Sequence, residues 1–327
     1  MGTEVLEVRD LHVWFDLDDG GELYAVQGVS FSLSRGERFG LVGESGCGKT
    51  TTILALMGLL PSSATVSGEV RLDGRDILSG GEDTIRPHRW TDVAMVFQGA
   101  MNALNPVKRV GAQIVEPMEL HGIAHGEAAR KEARDLLELV GIPRAAADRY
   151  PHEFSGGMRQ RAAIAMALAC KPKILLADEP TTALDVMVQA QILELLVRLT
   201  DDLGLGLILV AHDLPVVAQV CSRAAVMYAG EIVESGTMDA LFHTPRHPYT
   251  RLLFAATPDL YGADEVVSIP GAPPRLDREI EGCPFRMRCD MAFDRCVVDH
   301  PALKVVELDH AAACHLNDEV ERLKVSP

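Results

Sequence analysis

Aromatic side chains are scarce. Phenylalanine, tryptophan and tyrosine together make up 5% of the 327 residues, too few for a surface that stacks successive bases of a single strand. Positive charge is also short. Lysine and arginine number 31 against 47 aspartates and glutamates, a formal net charge of −16. That balance argues against a broad phosphate-binding surface for nucleic acid, although backbone amides can still build a local anion pocket. Long apolar runs are missing too. The densest, residues 162–170 and 207–211, have the length of core segments, well below the roughly 18 residues of a membrane-spanning helix. The first ten residues lack both a basic n-region and an apolar h-region, so no signal peptide is expected. A cytosolic protein, at most peripheral to a membrane, is the expectation.

What remains is ordinary globular composition: 47% apolar and 24% charged, enough for about two domains at roughly 150 residues each. Seven cysteines occur, at 47, 170, 221, 283, 289, 296 and 314, and the last four fall within 32 residues. In a reducing compartment such a group points to metal rather than to disulfides.

Residues 4–33 read as short strands with turns at Asp19–Gly21 and at Gly28. A buried strand over 37–43 runs into a glycine-rich loop, and residues 49–60 read as a helix stopped by Pro61. Strands are expected over 69–72, 92–98, 173–178 and 207–211, with a pair over 224–235 meeting at Ala229 and Gly230. Helices are expected over 126–140, 156–170 and 186–200; in the first, Ala133, Leu136, Leu137 and Val140 form an apolar stripe. Strands alternating with helices around a glycine-rich loop imply a parallel α/β core. Residues 99–155 lack strands and read as a helical insertion. After Gly236 the pattern weakens, and the run from Pro270 to Pro274 reads as a linker to the cysteine-rich tail.

Gly43, Glu44, Ser45, Gly46, Cys47, Gly48, Lys49 and Thr50 fit the pattern G-x-x-x-x-G-K-[ST] in full, between a strand and a helix. The glycines let backbone N–H groups turn around phosphate oxygens, and the helix N-terminus adds partial positive charge. Lys49 would reach the outer phosphates and Thr50 would hold Mg²⁺. An apolar strand from Ile174 delivers Asp178 and Glu179 at its carboxyl end, where α/β sites lie. Asp178 would hold Mg²⁺ through water, and Glu179 would act as general base on the attacking water or orient it.

Phe154, Ser155, Gly156, Gly157 and Met158 precede a helix, and with them the chain resembles the nucleotide-binding subunits of ABC transporters. Ser155, Gly156 and Gly157 match the core of that family's signature motif, while Phe154 and Met158 depart from its commonest form. The resemblance implies a fold of the α/β class: a P-loop NTPase (RecA-like) core with an N-terminal antiparallel β subdomain, the helical insertion and a Cys-rich C-terminal extension. It divides the chain into a nucleotide-binding domain over 1–235 and an extension over 236–327. It also implies that the signature motif closes on ATP held by a partner subunit. By position, Gln98 resembles the glutamine that touches Mg²⁺ and relays nucleotide state to the membrane partner. Asp185 resembles the acidic residue of the dimer-interface loop, His212 the histidine that contacts the γ-phosphate, and Thr51 a further ATP contact. Phe15 fits best as the aromatic ring that stacks on adenine, with Trp14 and Tyr24 as rivals.

Within the family, Phe154–Met158, the stretch from Val96 to Pro106, and His247, Pro248, Tyr249 and Thr250 followed by Ile269 to Gly271 resemble the dipeptide/oligopeptide importer group, D-type ATPase subunit. The implied partners are a second ATPase subunit, distinct and F-type, two permease subunits and an extracytoplasmic peptide-binding protein, at the cytoplasmic face of the membrane and without nucleic acid. Nickel chelates and other peptide-like cargo stay open, since the ATPase does not contact cargo. An ABC ATPase without a permease is the alternative of another class; the net charge and the single cassette weigh against it. A metal-sensing subunit with a dead ATP site is opposed by Lys49, Asp178, Glu179 and His212.

Cys283, Cys289, Cys296 and Cys314 are separated by 5, 6 and 17 residues. Four thiolates can hold a [4Fe–4S] cluster or one zinc. The absence of any C-x2-C knuckle favours the cluster over zinc, with Arg286 and Arg288 suited to its negative charge. His300 and His315 are alternative ligands, and a metal-free packing role for the four cysteines stays open.

Overall fold

The computed structural model describes residues 3–18, 20–99, 103–256, 268–278 and 280–318. From the N-terminus run strands β1 (Glu4–Asp16), β2 (Glu22–Ser34) and β3 (Arg38–Val42), helix α1 (Lys49–Leu56), and strands β4 (Ala64–Leu72) and β5 (Arg75–Asp76). Then come α2 (Glu82–Ile85), β6 (Val93–Val96), α3 (Val110–Leu120), α4 (Gly126–Leu139), α5 (Gly156–Ala167), β7 (Ile174–Asp178), α6 (Val186–Leu203) and β8 (Gly206–Ala211). The remainder holds α7 (Leu214–Val220), β9 (Arg223–Tyr228), β10 (Glu231–Thr237), α8 (Met238–His243), α9 (Pro248–Ala255), α10 (Asp294–Val298), β11 (Lys304–Glu307) and β12 (His310–Ala312). These elements gather into two compact units. One comprises Met1–Val5, Leu33–Arg38 and Ser79–Val210; the other comprises Leu6–Ser32, Phe39–Leu78 and Ala211–Pro327.

In the first unit β8, β7 and β6 lie side by side in that order and run parallel, Ile174 opposite both Val93 and Gly206. Every residue of β6, β7 and β8 is buried, which is why these strands read as unbroken apolar runs rather than alternating ones. Gly206 is required where it stands: a Cβ there would meet Leu33 Cδ2 at 2.7 Å. Residues 103–155 hold no strand. They fold as α3, α4 and short 3-10 turns, with Ala129, Ala133, Leu136 and Leu137 of α4 buried. α3 buries Val110, Ile114, Pro117 and Met118, spaced i, i+4, i+7 and i+8, with Pro117 in its last turn; that spacing is helical, although no separate helix was expected there.

The second unit carries two sheets. In one, the order is β2, β1, β4, β5, with β1 and β4 antiparallel and Leu6 opposite Leu72. The expected break at Gly28 is not a turn. β2 runs straight through it, because Gly28 takes φ +67° inside the strand, where a Cβ would meet Asp10 Oδ1 at 3.4 Å. Asp10 itself has φ +48°, at the register irregularity of β1, so the two long strands bend locally instead of ending. The other sheet has the order β11, β12, β10, β9, β3; β3 and β9 are parallel and the rest antiparallel. Ala229 and Gly230, with φ +51° and +86°, form the two-residue turn between β9 and β10. α7 lies against β3, where Val217 Cγ1 occupies the place of any Cβ on Gly40, 2.2 Å away.

Helix α1 ends at Leu56 rather than at residue 60, because Gly58 takes the left-handed conformation just beyond the Met57 cap. Likewise α5 stops at Ala167, three residues early, with Lys171 at φ +54°. Among the described residues no helix is long and apolar enough to cross a membrane.

Candidate functional site

The phosphate loop lies in the second unit. Gly43 has φ +150°, Gly46 +80° and Gly48 +104°, conformations that side chains rarely adopt. Gly43 and Gly48 are also locked by neighbours: a Cβ would meet Met227 O at 2.2 Å and Ala25 O at 2.4 Å respectively. Around Gly46 there is open space. Lys49, 5% exposed, donates from Nζ to Gly43 O at 2.7 Å and to Glu44 O at 2.9 Å. The ammonium is thus held over the loop by carbonyl dipoles. Cys47 is buried beneath it, and burial pushes its thiol up despite the nearby Lys49 charge. Thr50 is exposed at the start of α1 and Thr51 is half-buried.

Glu44 is the best-held residue of the loop. Its backbone N–H donates to Tyr249 Oη at 2.9 Å. Its carboxylate receives a two-pronged bond from Arg288, Nη1 to Oε2 at 2.6 Å and Nη2 to Oε1 at 2.8 Å. Both partners come from the C-terminal half of the same unit, and neither contact was legible in the sequence. Arg288, expected to suit a cluster's negative charge, is engaged with Glu44 here.

Phe15 is half-buried near the end of β1, opposite Ala64, and Trp14 stands opposite Thr65. Tyr24 in β2 donates its hydroxyl to Glu22. His212 is exposed just after β8.

The acidic pair lies in the first unit. β7 carries Asp178, 1% exposed, to its carboxyl end. Glu179 follows with φ +43°, a strained position for a side-chain-bearing residue, of the order of 1–3 kcal/mol. Its backbone N–H is tied to Val210 O at 2.9 Å. Its Oε2 accepts from Gln98 Nε2 at 2.8 Å and from Thr182 Oγ1 at 3.0 Å. The structure therefore brings Gln98 onto Glu179, and adds Thr182, which sequence reasoning missed. Ser155 caps α5 by accepting from Met158 N at 3.3 Å, and Asp185 caps α6 by accepting from Val188 N at 3.0 Å. The two helix starts touch: a Cβ on Gly157 would sit 2.6 Å from Val188 Cγ1. Val186 and Met187, next to Asp185, are 80% and 72% exposed.

The four tail cysteines share one neighbourhood in the second unit. Cys283 N donates to Cys296 O at 2.8 Å. Burial raises the Cys283 thiol to about 11 and the Cys314 thiol to about 12, and each feels the charge of the other cysteines. Cys289 is raised for the same reasons. Burial thus favours the neutral thiol at Cys283, Cys289 and Cys314. Among the described residues no group of three or more His, Cys, Asp or Glu is placed to hold a metal ion, so the expected ligand set is not preformed around one ion. The alternative ligands are engaged elsewhere: His300 on Glu231 at 3.0 Å and His315 on Asp299 O at 2.9 Å. Arg286 bonds the carbonyls of Glu281 and Cys283.

A glycine-rich loop between strand and helix, and an acidic pair at the end of a buried parallel strand, are the marks of a P-loop nucleotide-binding protein, and comparison with known proteins narrows this to an ATP-binding cassette. Solved cassettes agree. The dimeric cassette MJ0796 bound to ADP and Pi aligns with a TM-score of 0.63 at 29% identity, over 71% of this chain and 98% of that one. The cassette cbiO1 from Clostridium perfringens aligns with a TM-score of 0.62 at 30% identity, over 74% and 92%. Residues 26–182 match the ABC transporter family, and residues 233–296 match the oligopeptide/dipeptide transporter C-terminal region. The dipeptide transport ATP-binding protein DppD of Bacillus subtilis is 47% identical over 97% of this chain and 96% of its own length. DppD of Escherichia coli is 44% identical over 95% and 96%. A probable peptide ABC transporter ATP-binding protein of Sinorhizobium fredii is 46% identical over 98% and 97%. The chain belongs to the family of ATP-binding subunits of dipeptide/oligopeptide ABC transporters, and is an ATPase.

Proposed function

We propose that this subunit powers the uptake of di- and oligopeptides. ATP binds on residues 43–51, with Lys49 and His212 on the γ-phosphate, Thr50, Asp178 and Gln98 around Mg²⁺, and Phe15 against adenine. Glu179 takes a proton from the attacking water. Catalysis is chiefly positioning and charge stabilisation, as phosphoryl transfer requires. The observation that carries this reading is the Glu179 carboxylate at the end of a buried strand, fixed by Gln98 and Thr182. A base held this way has its free lone pairs aimed rather than rotating.

Ser155, Gly156 and Gly157 serve a second, distinct F-type ATPase subunit, closing on the nucleotide that it holds. The exposed apolar pair Val186 and Met187 beside Asp185 supports a partner surface there. Phe97, Val107 and Leu120, all exposed in or next to the helical insertion, support the docking of two permeases. A peptide-binding protein delivers cargo on the other side of the membrane, and this chain sits at the cytoplasmic face. Residues 1–235 form the nucleotide-binding domain and 236–327 the extension. Peptide cargo is supported by the relatives' names and by the match of residues 233–296.

For the extension we infer a [4Fe–4S] cluster on Cys283, Cys289, Cys296 and Cys314. The support for this reading is the all-cysteine donor set on one short segment, and the lack of a C-x2-C knuckle makes zinc the weaker choice. Such a cluster supplies a rigid four-way cross-link to the tail. Pull-down of the tagged chain from membranes tests the partner reading: two polytopic permeases and one further ATPase are expected, and recovery of ribosomes or DNA instead would overturn it. Iron and sulfide near four per chain in protein purified without oxygen is the expected result for the cluster. Colourless, metal-free protein would leave a packing module.

A further inference from the structure

We propose that Arg288 is a positioning residue of the ATP site, which neutralises and anchors Glu44 so that the phosphate loop can receive a polyanion. This rests on the assignment of residues 43–51 to ATP. Glu44 is the one acidic residue in that loop. A carboxylate beside a triphosphate repels it and lowers affinity, unless a cation of the protein stays on it.

Arg288 is built to stay. Its side chain is 4% exposed and that of Glu44 is 26% exposed. The two-pronged bond uses both terminal nitrogens, at 2.6 and 2.8 Å, the geometry in which guanidinium and carboxylate bind best. The remaining nitrogen, Nε, donates to Pro270 O at 2.7 Å. The guanidinium also lies over the rings of Tyr228 and Phe285, 5.7 and 5.9 Å from their centroids, which adds cation–π attraction. With all these contacts made, the fork has one orientation.

The same loop residue is held from a second side by Tyr249, itself fully buried and stacked at a tilt on Tyr228, with ring centroids 4.7 Å apart. The Glu44 carbonyl accepts from Lys49. Glu44 thus joins the loop lysine to two elements of the C-terminal half. This gives the motif at residues 247–250 and the segment around Cys289 a task in nucleotide binding: they hold the loop carboxylate and its amide in place before ATP arrives.

The test uses the full-length chain, with ATP affinity by calorimetry, melting temperature as a control, and KM and kcat in the assembled transporter. Arg288→Gln is expected to raise the ATP dissociation constant and KM about tenfold, with kcat changed less than about threefold. Arg288→Lys, which keeps the charge but loses the two-pronged bond and the ring stacking, is expected to fall between the parent and Arg288→Gln. The double variant Glu44→Gln/Arg288→Gln is expected to regain most of the lost affinity, since no bare carboxylate remains. Parental affinity in Arg288→Gln would overturn the proposal, as would a double variant as weak as the single one, or an Arg288→Lys as weak as Arg288→Gln. Lys49→Ala is the companion control. If it too left ATP affinity unchanged, the assignment of the loop to ATP would fall, not the role of Arg288 within it.

Discussion

At the scale of single residues, the chemistry concentrates where the backbone is least comfortable. Glu179 sits at φ +43° with its carboxylate held by two donors. Glu179→Gln keeps the shape and removes the base, so ATP turnover in the assembled transporter is expected to fall about 10²–10⁴-fold with ATP affinity kept. A steady-state phosphate-release assay beside a binding titration checks this. Gly157 makes a different demand. Gly157→Ala places a methyl 2.6 Å from Val188 Cγ1, and overpacking of that kind costs about 1–3 kcal/mol. Denaturant melts should show the loss, and Val188→Ala in the same chain should restore most of it. The loop residues 43–50 were legible in the sequence because the motif encodes a local backbone path. The bond from Arg288 to Glu44 was not, since it joins positions 244 apart and only the tertiary fold decides such a pairing. The tail cysteines were legible as a group, but their distances were not.

At the scale of elements, the buried strands were the plainest reading, because a strand covered on both faces is a continuous apolar run. Ends were read less well. α1 and α5 both stop early, with a positive-φ residue two and four positions beyond their ends, Gly58 and Lys171, a local conformation that apolar periodicity does not report. β11 and β12 were missed because they are short, and most of β11 is exposed. The start of α9 carries a pH dependence. His247 Nδ1 accepts from Tyr249 N at 3.0 Å, and the Glu234 carboxylate, itself fully buried, accepts from His247 N at 3.0 Å. Burial depresses the His247 imidazole to about 4, against an opposing pull from Glu234. The unfolded chain therefore takes up a proton near pH 6.5 that the folded chain refuses until about 4. Stability is fully present above about pH 6.5 and is lost as pH falls toward 4, by on the order of 3 kcal/mol. His247→Asn keeps a capping acceptor without a titrating ring. Thermal melts across that window should be flatter in the variant than in the parent.

At the scale of the whole molecule, the proposed function makes the cassette one part of a transporter whose other parts are other chains. With Glu179→Gln blocking turnover, ATP and Mg²⁺ should hold this subunit together with its second ATPase. Light scattering after size exclusion should then show the paired mass with ATP and separate subunits with ADP. The fold class, helical insertion and cysteine-rich extension could all be anticipated from the sequence, since each has its own composition and periodicity. The close joining of extension to phosphate loop could not, because it is carried by Tyr249 and Arg288 acting on one loop residue. The central claim, that ATP hydrolysis on this chain drives peptide uptake, is tested most directly by reconstitution. The subunit, its second ATPase, the two permeases and the peptide-binding protein are placed in proteoliposomes, and labelled dipeptide and oligopeptide uptake is followed with and without ATP. Peptide should accumulate only with ATP, and the Glu179→Gln subunit should stop both accumulation and phosphate release. Accumulation that persists with Glu179→Gln, or ATP hydrolysis with no peptide uptake, would contradict it.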